Sequence, residues 1–144
     1  MTIMWVPPSD DEITTILKES KNVAIVGASD NPERPVYGVS EWLLDHSNFS
    51  IFFVNPRIDT LFGHKVYPSI ADIPEWIDIV DVFRKVADIP AVVDEAIAVK
   101  AKTLWLQLGL QDDLSANRAV KNGLNVIQNR CLKIDYNSFI LKQR

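Results

Sequence analysis

Apolar and polar positions along this chain follow two periods, and the switch between them recurs. Ser9-Asp10-Asp11-Glu12 forms a capping box, in which Ser9 accepts the Glu12 amide and the Glu12 side chain reaches back. Ile13, Ile16 and Leu17 follow at helical spacing and predict a helix to about Glu19. Asn22-Val23-Ala24-Ile25-Val26, closed by Gly27, is the pattern of a strand buried on both faces. Pro32 and Pro35 interrupt the next stretch. Val36, Val39, Ser40 and Leu43 then share one face of a helix running to His46. Ser50–Val54 is a second strand, stopped by Asn55-Pro56, and Lys65–Tyr67 a short third. Ile77–Phe83 is a further strand. Asp88 is placed to cap a helix with Pro90 in its first turn. Thr103–Leu108 is a strand ending at Gly109. Asp112–Asn122 is a helix with Gly123 just past its end, and Leu124–Gln128 is the last clear strand. No period is legible from Lys133 onward. The tetrapeptide Ala-Asp-Ile-Pro occurs at Ala71 and at Ala87, which reads as two helix starts and not as a structural repeat.

Strands alternating with helices predict βαβ units and an α/β fold on a mainly parallel sheet. The chain has 144 residues, and at roughly 100–200 residues per domain this predicts one domain over 1–144. Residues 1–8 form an N-terminal arm, and 137–144 a tail without assigned structure. Hydrophobic residues make up 47% and charged residues 24%, which excludes disorder as the main state. A net charge of −4 argues against a nucleic-acid partner. One cysteine excludes an internal disulfide framework, and with two histidines it makes a zinc site improbable. No apolar run approaches the roughly 18 residues of a membrane span, and the first residues lack a basic, then apolar, leader. The expectation is a cytoplasmic protein with no membrane partner.

In an open parallel sheet, ligands bind beyond the carboxyl ends of the strands. The segments there are Gly27-Ala28-Ser29, Asn55-Pro56-Arg57, Phe83-Arg84-Lys85, Gln107-Leu108-Gly109 and Asn129-Arg130-Cys131. Their basic side chains make this edge a candidate anion site in an acidic protein. Gly27 lets the backbone approach a phosphate, Ser29 adds a hydroxyl, and Arg34 stands just before a helix start. The full dinucleotide fingerprint is missing, because only Gly27 of its three glycines is in place. After the second strand an NAD site would need an acidic residue for the ribose. Arg57 stands there instead and suits a phosphorylated ribose, as in coenzyme A or NADP. Arg84 reads either as a ligand contact or as the ion-pair partner of Asp88 or Asp81. Gln107 reads as a ligand contact or a structural amide. Cys131 reads as a buried apolar side chain, or as a thiol favoured as thiolate by Arg130 and Lys133. His46 at a helix end and His64 in a loop read as surface residues. Trp42, Trp76 and Trp105 read as core or core-edge positions. Trp5 either docks the arm or meets a partner.

Five of these motifs in this order resemble the small stand-alone CoA-binding proteins. They are Val26-Gly27-Ala28-Ser29-Asp30-Asn31-Pro32-Glu33-Arg34-Pro35, Val54-Asn55-Pro56-Arg57, Asp78–Arg84, Leu104–Gly109 and Asn129–Ile134. That family is in turn similar to the N-terminal domain of the succinyl-CoA synthetase α subunit. The resemblance implies a Rossmann-type three-layer fold and a small-molecule CoA ligand. It places Gly27, Ala28, Ser29, Arg34 and Pro35 at the pyrophosphate, and Asn55, Pro56 and Arg57 at the adenosine 3′-phosphate. Phe83 and Arg84 would line the nucleotide cleft, and Gln107, Leu108, Gly109 and Cys131 would lie toward the pantetheine. Asn129 departs from the family pattern, which often has Asp there, and so removes one possible charge partner of Arg130. The larger ligases of this kind need a phosphohistidine-bearing second domain.

The function expected from the sequence is binding of coenzyme A or an acyl-CoA without catalysis. Two alternatives stand beside it: an NADP-binding oxidoreductase fragment, and a redox protein that joins Cys131 to CoA in a mixed disulfide.

Overall fold

The structure is a computed structural model describing residues 4–142; the ends of the expected arm and tail, 1–3 and 143–144, lie outside the described residues. Helix α1 spans Asp10–Glu19 and has the complete capping box, with Ser9 accepting from the Glu12 amide at 3.1 Å and Glu12 from the Ser9 amide at 3.2 Å. Strand β1 (Asn22–Val26) follows, then α2 (Pro35–His46) and β2 (Ser50–Val54). A hairpin of β3 (Thr60–Leu61) and β4 (His64–Tyr67) precedes β5 (Ile79–Val82). After these come α3 (Ile89–Ala98), β6 (Thr103–Leu106), α4 (Asp113–Lys121), β7 (Asn125–Ile127) and α5 (Leu132–Tyr136). A π-helical stretch, Asn137–Leu141, extends α5 into the tail.

The sheet order is β3-β4-β2-β1-β5-β6-β7, with every pair parallel except β3 with β4. The chain winds outward from β1 through β2 to β4, then returns to β5 on the other side of β1. The strand order therefore reverses between β1 and β5, and a crevice opens there beyond their carboxyl ends.

Period-two alternation divides each strand between two cores. Ala24 and Val26 of β1 pack with Ile89, Val92, Val93 and Ala96 of α3 and Ala116 and Ala119 of α4. Val23 and Ile25 pack on the opposite face with Ile13 and Leu17 of α1, Val36, Val39 and Leu43 of α2, and Leu132 and Tyr136 of α5. Helices on both faces of a parallel sheet make the three layers expected.

Local details differ from the sequence reading. The short strand β3 was not anticipated, because its turn carries Phe62 at φ 50° ahead of Gly63 at φ 77°. Two positive φ values suit a two-residue hairpin, but a phenylalanine is unusual there. Its ring is held 4.8 Å from Tyr37 and 6.1 Å from Phe53. His64 consequently opens β4 and is not a loop residue. Asp88 occupies the N-cap of α3 without capping it, since its carboxylate accepts from Arg84 instead. Trp76 is 56% exposed, with its Nε1 donating to the Lys100 carbonyl at 2.8 Å, whereas Trp105 is fully buried. Trp5 docks the arm on the edge strand: its Nε1 donates to the Val126 carbonyl at 2.7 Å, and its backbone N–H to Asn117 Oδ1 at 2.6 Å. That satisfies an open edge that would otherwise offer a template for pairing.

Candidate functional site

A cleft of about 1000 Å³ lies at the carboxyl edge of the sheet. That is at the upper end of the roughly 300–1,000 Å³ typical of small-molecule sites. The structure brings thirteen of the sequence-selected residues into its lining: Gly27, Ala28, Ser29, Arg34, Pro35, Asn55, Pro56, Arg57, Phe83, Arg84, Gln107, Leu108 and Cys131. Gly109 stands outside it. Val36, Val39, Lys85, Asp88 and Leu110 also line the cleft. The sequence reading had placed Val36 and Val39 only in the core. Both belong to the core cluster and also line the cleft. Lys85 was legible as the neighbour of Arg84.

The loop from β1 to α2 is built from successive turns. Ser29 Oγ accepts from the Asn31 amide, Asn31 Oδ1 from the Glu33 amide, and the Asn31 carbonyl from the Arg34 amide, each at 3.0 Å. These bonds set where Arg34 leaves the loop. Gly27 lines the cleft. Its amide and that of Ala28 both donate to the Val54 carbonyl, at 3.1 and 3.3 Å, and so are not available to a phosphate. The amides of Ser29, Asp30 and Val36 have no partner among the described residues. Helix α2 has Arg34 at its N-cap, no side-chain cap and no acidic residue in its first turn. Arginine is a poor N-cap; Pro35 has no N–H and the Tyr37 amide donates to the Arg34 carbonyl, so this helix start presents the Val36 N–H and its positive dipole to the cleft. Helix α1, by contrast, is fully capped.

Asn55 ties two of the loops together. Its Nδ2 donates to the Ala28 carbonyl at 2.7 Å, and its Oδ1 accepts from the Arg57 amide at 2.8 Å. Arg84 pairs with Asp88 at 3.2 Å, both more than a third exposed, and not with Asp81. The side chains of Arg34, Arg57 and Lys85 have no acidic partner among the described residues. The cleft of this acidic protein is therefore cationic.

At the β6–β7 end, Asn129 adopts φ 56° and accepts from the Gly109 amide at 2.7 Å, lacing the two loops. Arg130 finds its charge partner elsewhere than the sequence suggested: Nε and Nη2 grip Asp135 at 2.6 and 3.0 Å. That side-chain hydrogen bond is the main cause of the upward shift of the Arg130 pKa. Lys133 lies over the Trp42 ring at 5.9 Å. Neither cation is left free for Cys131. Gln107 is 7% exposed, and its Oε1 accepts from the Leu132 amide at 3.4 Å.

Below the cleft floor, Asp81 pairs in register with Ile25 and Trp105. It is fully buried and neither carboxylate oxygen has a partner; Ser40 Oγ is likewise unpartnered. Burial pushes the Asp81 pKa well above the usual carboxylate range. Asp78, three residues earlier, is satisfied by the Lys21 and Asn22 amides at 2.9 and 2.8 Å.

A parallel sheet of this order, with a cationic cleft at its switch point, defines a Rossmann-type domain built to receive an anionic ligand. The chain belongs to the CoA binding domain family, whose model matches residues 21–137. It is 38% identical over 127 residues to the uncharacterized protein YneT of Bacillus subtilis strain 168, covering 88% of this chain and 93% of that one. The structure of a hypothetical protein from Pyrococcus horikoshii OT3 matches with a TM-score of 0.88 at 34% identity, covering 94% of this chain and 97% of that one. An ADP-forming acetate–CoA ligase of Methanocaldococcus jannaschii is 35% identical over 75 residues, 52% of this chain but only 10% of the ligase. Among the described residues no helix is long and apolar enough to cross a membrane.

Proposed function

We propose that this chain binds coenzyme A, free or acylated, in the cleft at the carboxyl edge of the sheet, and performs no catalysis of its own. The observation that carries the reading is the uncapped start of α2, with Arg34 unpaired beside it. The Ser29 hydroxyl, the Ser29 and Val36 amides and the Arg34 guanidinium supply convergent donors for a pyrophosphate. The Arg57 guanidinium, unpaired at the far side of the same cleft, supplies a fork for the ribose 3′-phosphate. Phe83, after β5, offers a flat apolar wall on the other side of the β1 loop from Arg57, and Leu108, Gln107 and Cys131 flank the path of the pantetheine arm. Neither histidine lines the cleft, and its one carboxylate, Asp88, is paired with Arg84.

Thermal unfolding against CoA, acetyl-CoA, dephospho-CoA, NADP and NAD tests the reading. A ligand selective for the folded state stabilises by about 2.7 kcal/mol at a hundred times its dissociation constant. The expected result is a shift with CoA that shrinks with dephospho-CoA and is absent with NAD. Ligand-free protein with a flat response to the whole panel overturns it.

A further inference from the structure

Two arginines at the carboxyl edge of the sheet hold a carboxylate in different ways. Arg130 grips Asp135 with Nε on one oxygen and Nη2 on the other, at 2.6 and 3.0 Å, and Asp135 is buried. That is the two-pronged fit of a guanidinium on a carboxylate. Arg84 instead directs Nε and Nη2 at a single oxygen of Asp88, at 3.3 and 3.2 Å. Those distances exceed the roughly 2.7–2.9 Å of a tight charged pair. The two side chains are 39% and 41% exposed, and an exposed pair four residues apart holds weakly. The Arg130 pair is structural, whereas the Arg84 pair is releasable.

Arg84 also stands where release matters. Phe83 continues β5 beside β1, its amide donating to the Val26 carbonyl at 2.8 Å. Arg84 follows, and its stem lies across Gly27: a Cβ built on Gly27 falls 3.0 Å from Arg84 Cδ. The stem is thus at the start of the loop that carries Ser29 and Arg34. The guanidinium is turned to Asp88 at the start of α3, and α3 and α2 pack on opposite faces of the sheet. Rotation about the last torsions of the side chain moves the guanidinium between the two. Among the described residues Asp88 is the one carboxylate that lines the cleft. It occupies the N-cap of α3, yet its side chain accepts from no helix amide.

We infer that the Arg84–Asp88 pair is an autoinhibitory contact: Asp88 holds Arg84 off the phosphate loop, and the pyrophosphate of an entering coenzyme A draws it away. This rests on the proposed CoA site and adds a third arginine to it. A pyrophosphate competes successfully because it offers the guanidinium fork several anionic oxygens, where Asp88 offers one. Arg34 and the Val36 N–H meet the same group from the α2 side, so donors close on it from both sides of the β1 loop. The pair makes affinity depend on ligand charge, since only a group that outcompetes a carboxylate recruits Arg84.

Calorimetric titration of CoA into the unaltered chain, Asp88→Ala, Arg84→Ala and the double variant tests the inference. Truncating Asp88 removes no helix cap. Asp88→Ala should tighten CoA about two- to fivefold, the equivalent of an exposed ion pair, and Asp88→Asn should gain in the same direction. Arg84→Ala should weaken CoA about tenfold. In the Arg84→Ala background the gain from Asp88→Ala should vanish, because no guanidinium is left to release. Dephospho-CoA, which keeps the pyrophosphate, should show the same gain as CoA. A gain that persists without Arg84 is plain removal of a negative charge and overturns the inference. So does unchanged or weaker binding by both Asp88 variants, or a gain missing with dephospho-CoA. Absence of CoA binding in every one of these proteins overturns the CoA site itself, whereas binding without the Arg84-dependent gain overturns only the autoinhibition.

Discussion

The carbonyl oxygen of Phe83 occupies the space that a side chain at Gly27 would need: a Cβ built on Gly27 falls 2.0 Å from it. Gly27 also has φ 87°, in the region that L side chains rarely adopt. The glycine thus lets the loops after β1 and β5 meet at the switch point, and the cleft floor depends on that contact. Gly27→Ala is expected to destabilise the fold by at least about 2 kcal/mol, through strain and forced displacement of Phe83. Urea denaturation measures it; a loss under about 0.5 kcal/mol, the scale of an ordinary surface change, would contradict the account.

Arg57→Ala should weaken CoA about tenfold or more, since a hydrogen bond to a charged group is worth about 1.5–3 kcal/mol. Affinity for dephospho-CoA should stay close to that of the unaltered protein. Calorimetric titration with both ligands decides it. Equal losses for the two would mean that Arg57 does not meet the 3′-phosphate.

Asp81 makes stability depend on pH in an unusual sense. Its folded-state pKa is raised by burial, whereas in the unfolded chain it ionises in the ordinary range, near 3.9. Between those two values the folded state holds a proton that the unfolded state has released, so stability falls as pH rises through that window. Below the unfolded value both states are protonated and nothing is lost. Asp81→Asn keeps the shape and removes the titration. The variant should gain on the wild type as pH rises from 3 toward neutrality in a series of denaturant midpoints. A difference independent of pH would refute this assignment.

Trp5→Phe keeps a ring against the core but strands the Val126 carbonyl that Trp5 Nε1 satisfies. A cost of about 1 kcal/mol is expected, with CoA affinity unchanged because the arm is remote from the cleft. Chemical denaturation and a binding titration check the two halves. Any change in affinity would mean the arm communicates with the site.

Much of this architecture was legible from local pattern. The capping box at Ser9, the buried runs of β1 and β2 and the one-faced apolar spacing of α2 follow from nearest-neighbour chemistry. Short strands separated by helices left a parallel sheet as the economical arrangement, and its carboxyl edge then collects the segments around Gly27, Arg57, Arg84, Gln107 and Cys131. The charge at that edge was also visible, since three of those segments carry basic residues among neighbours without a family-type acidic partner for ribose.

Other outcomes were beyond local reasoning. Ala71-Asp72-Ile73-Pro74 and Ala87-Asp88-Ile89-Pro90 share one tetrapeptide. Both start as 3₁₀ turns, yet Ile73 is extended at φ −72° and ψ 126°, while Ile89 is helical at φ −58° and ψ −45°. A residue before proline prefers the extended form. Ile89 is carried against that preference because Val92, Val93 and Ala96 bury the helix that follows, whereas Ile77 enters the approach to β5.

Partner choice belonged to the same category. Arg130 could be read only beside Asn129, and its carboxylate proved to be Asp135, one helical turn on. The sequence put Gly27 and Ala28 where backbone can approach a phosphate, and their amides are taken by the Val54 carbonyl, a strand away. The linear sequence determined the elements, their order and the kind of charge at one edge, because helix period, strand alternation and capping are local. Tertiary structure alone decided which donors remain unspent in the cleft and which polar groups lie orphaned beneath it, because hydrogen-bond satisfaction is settled between segments that meet only when the sheet forms.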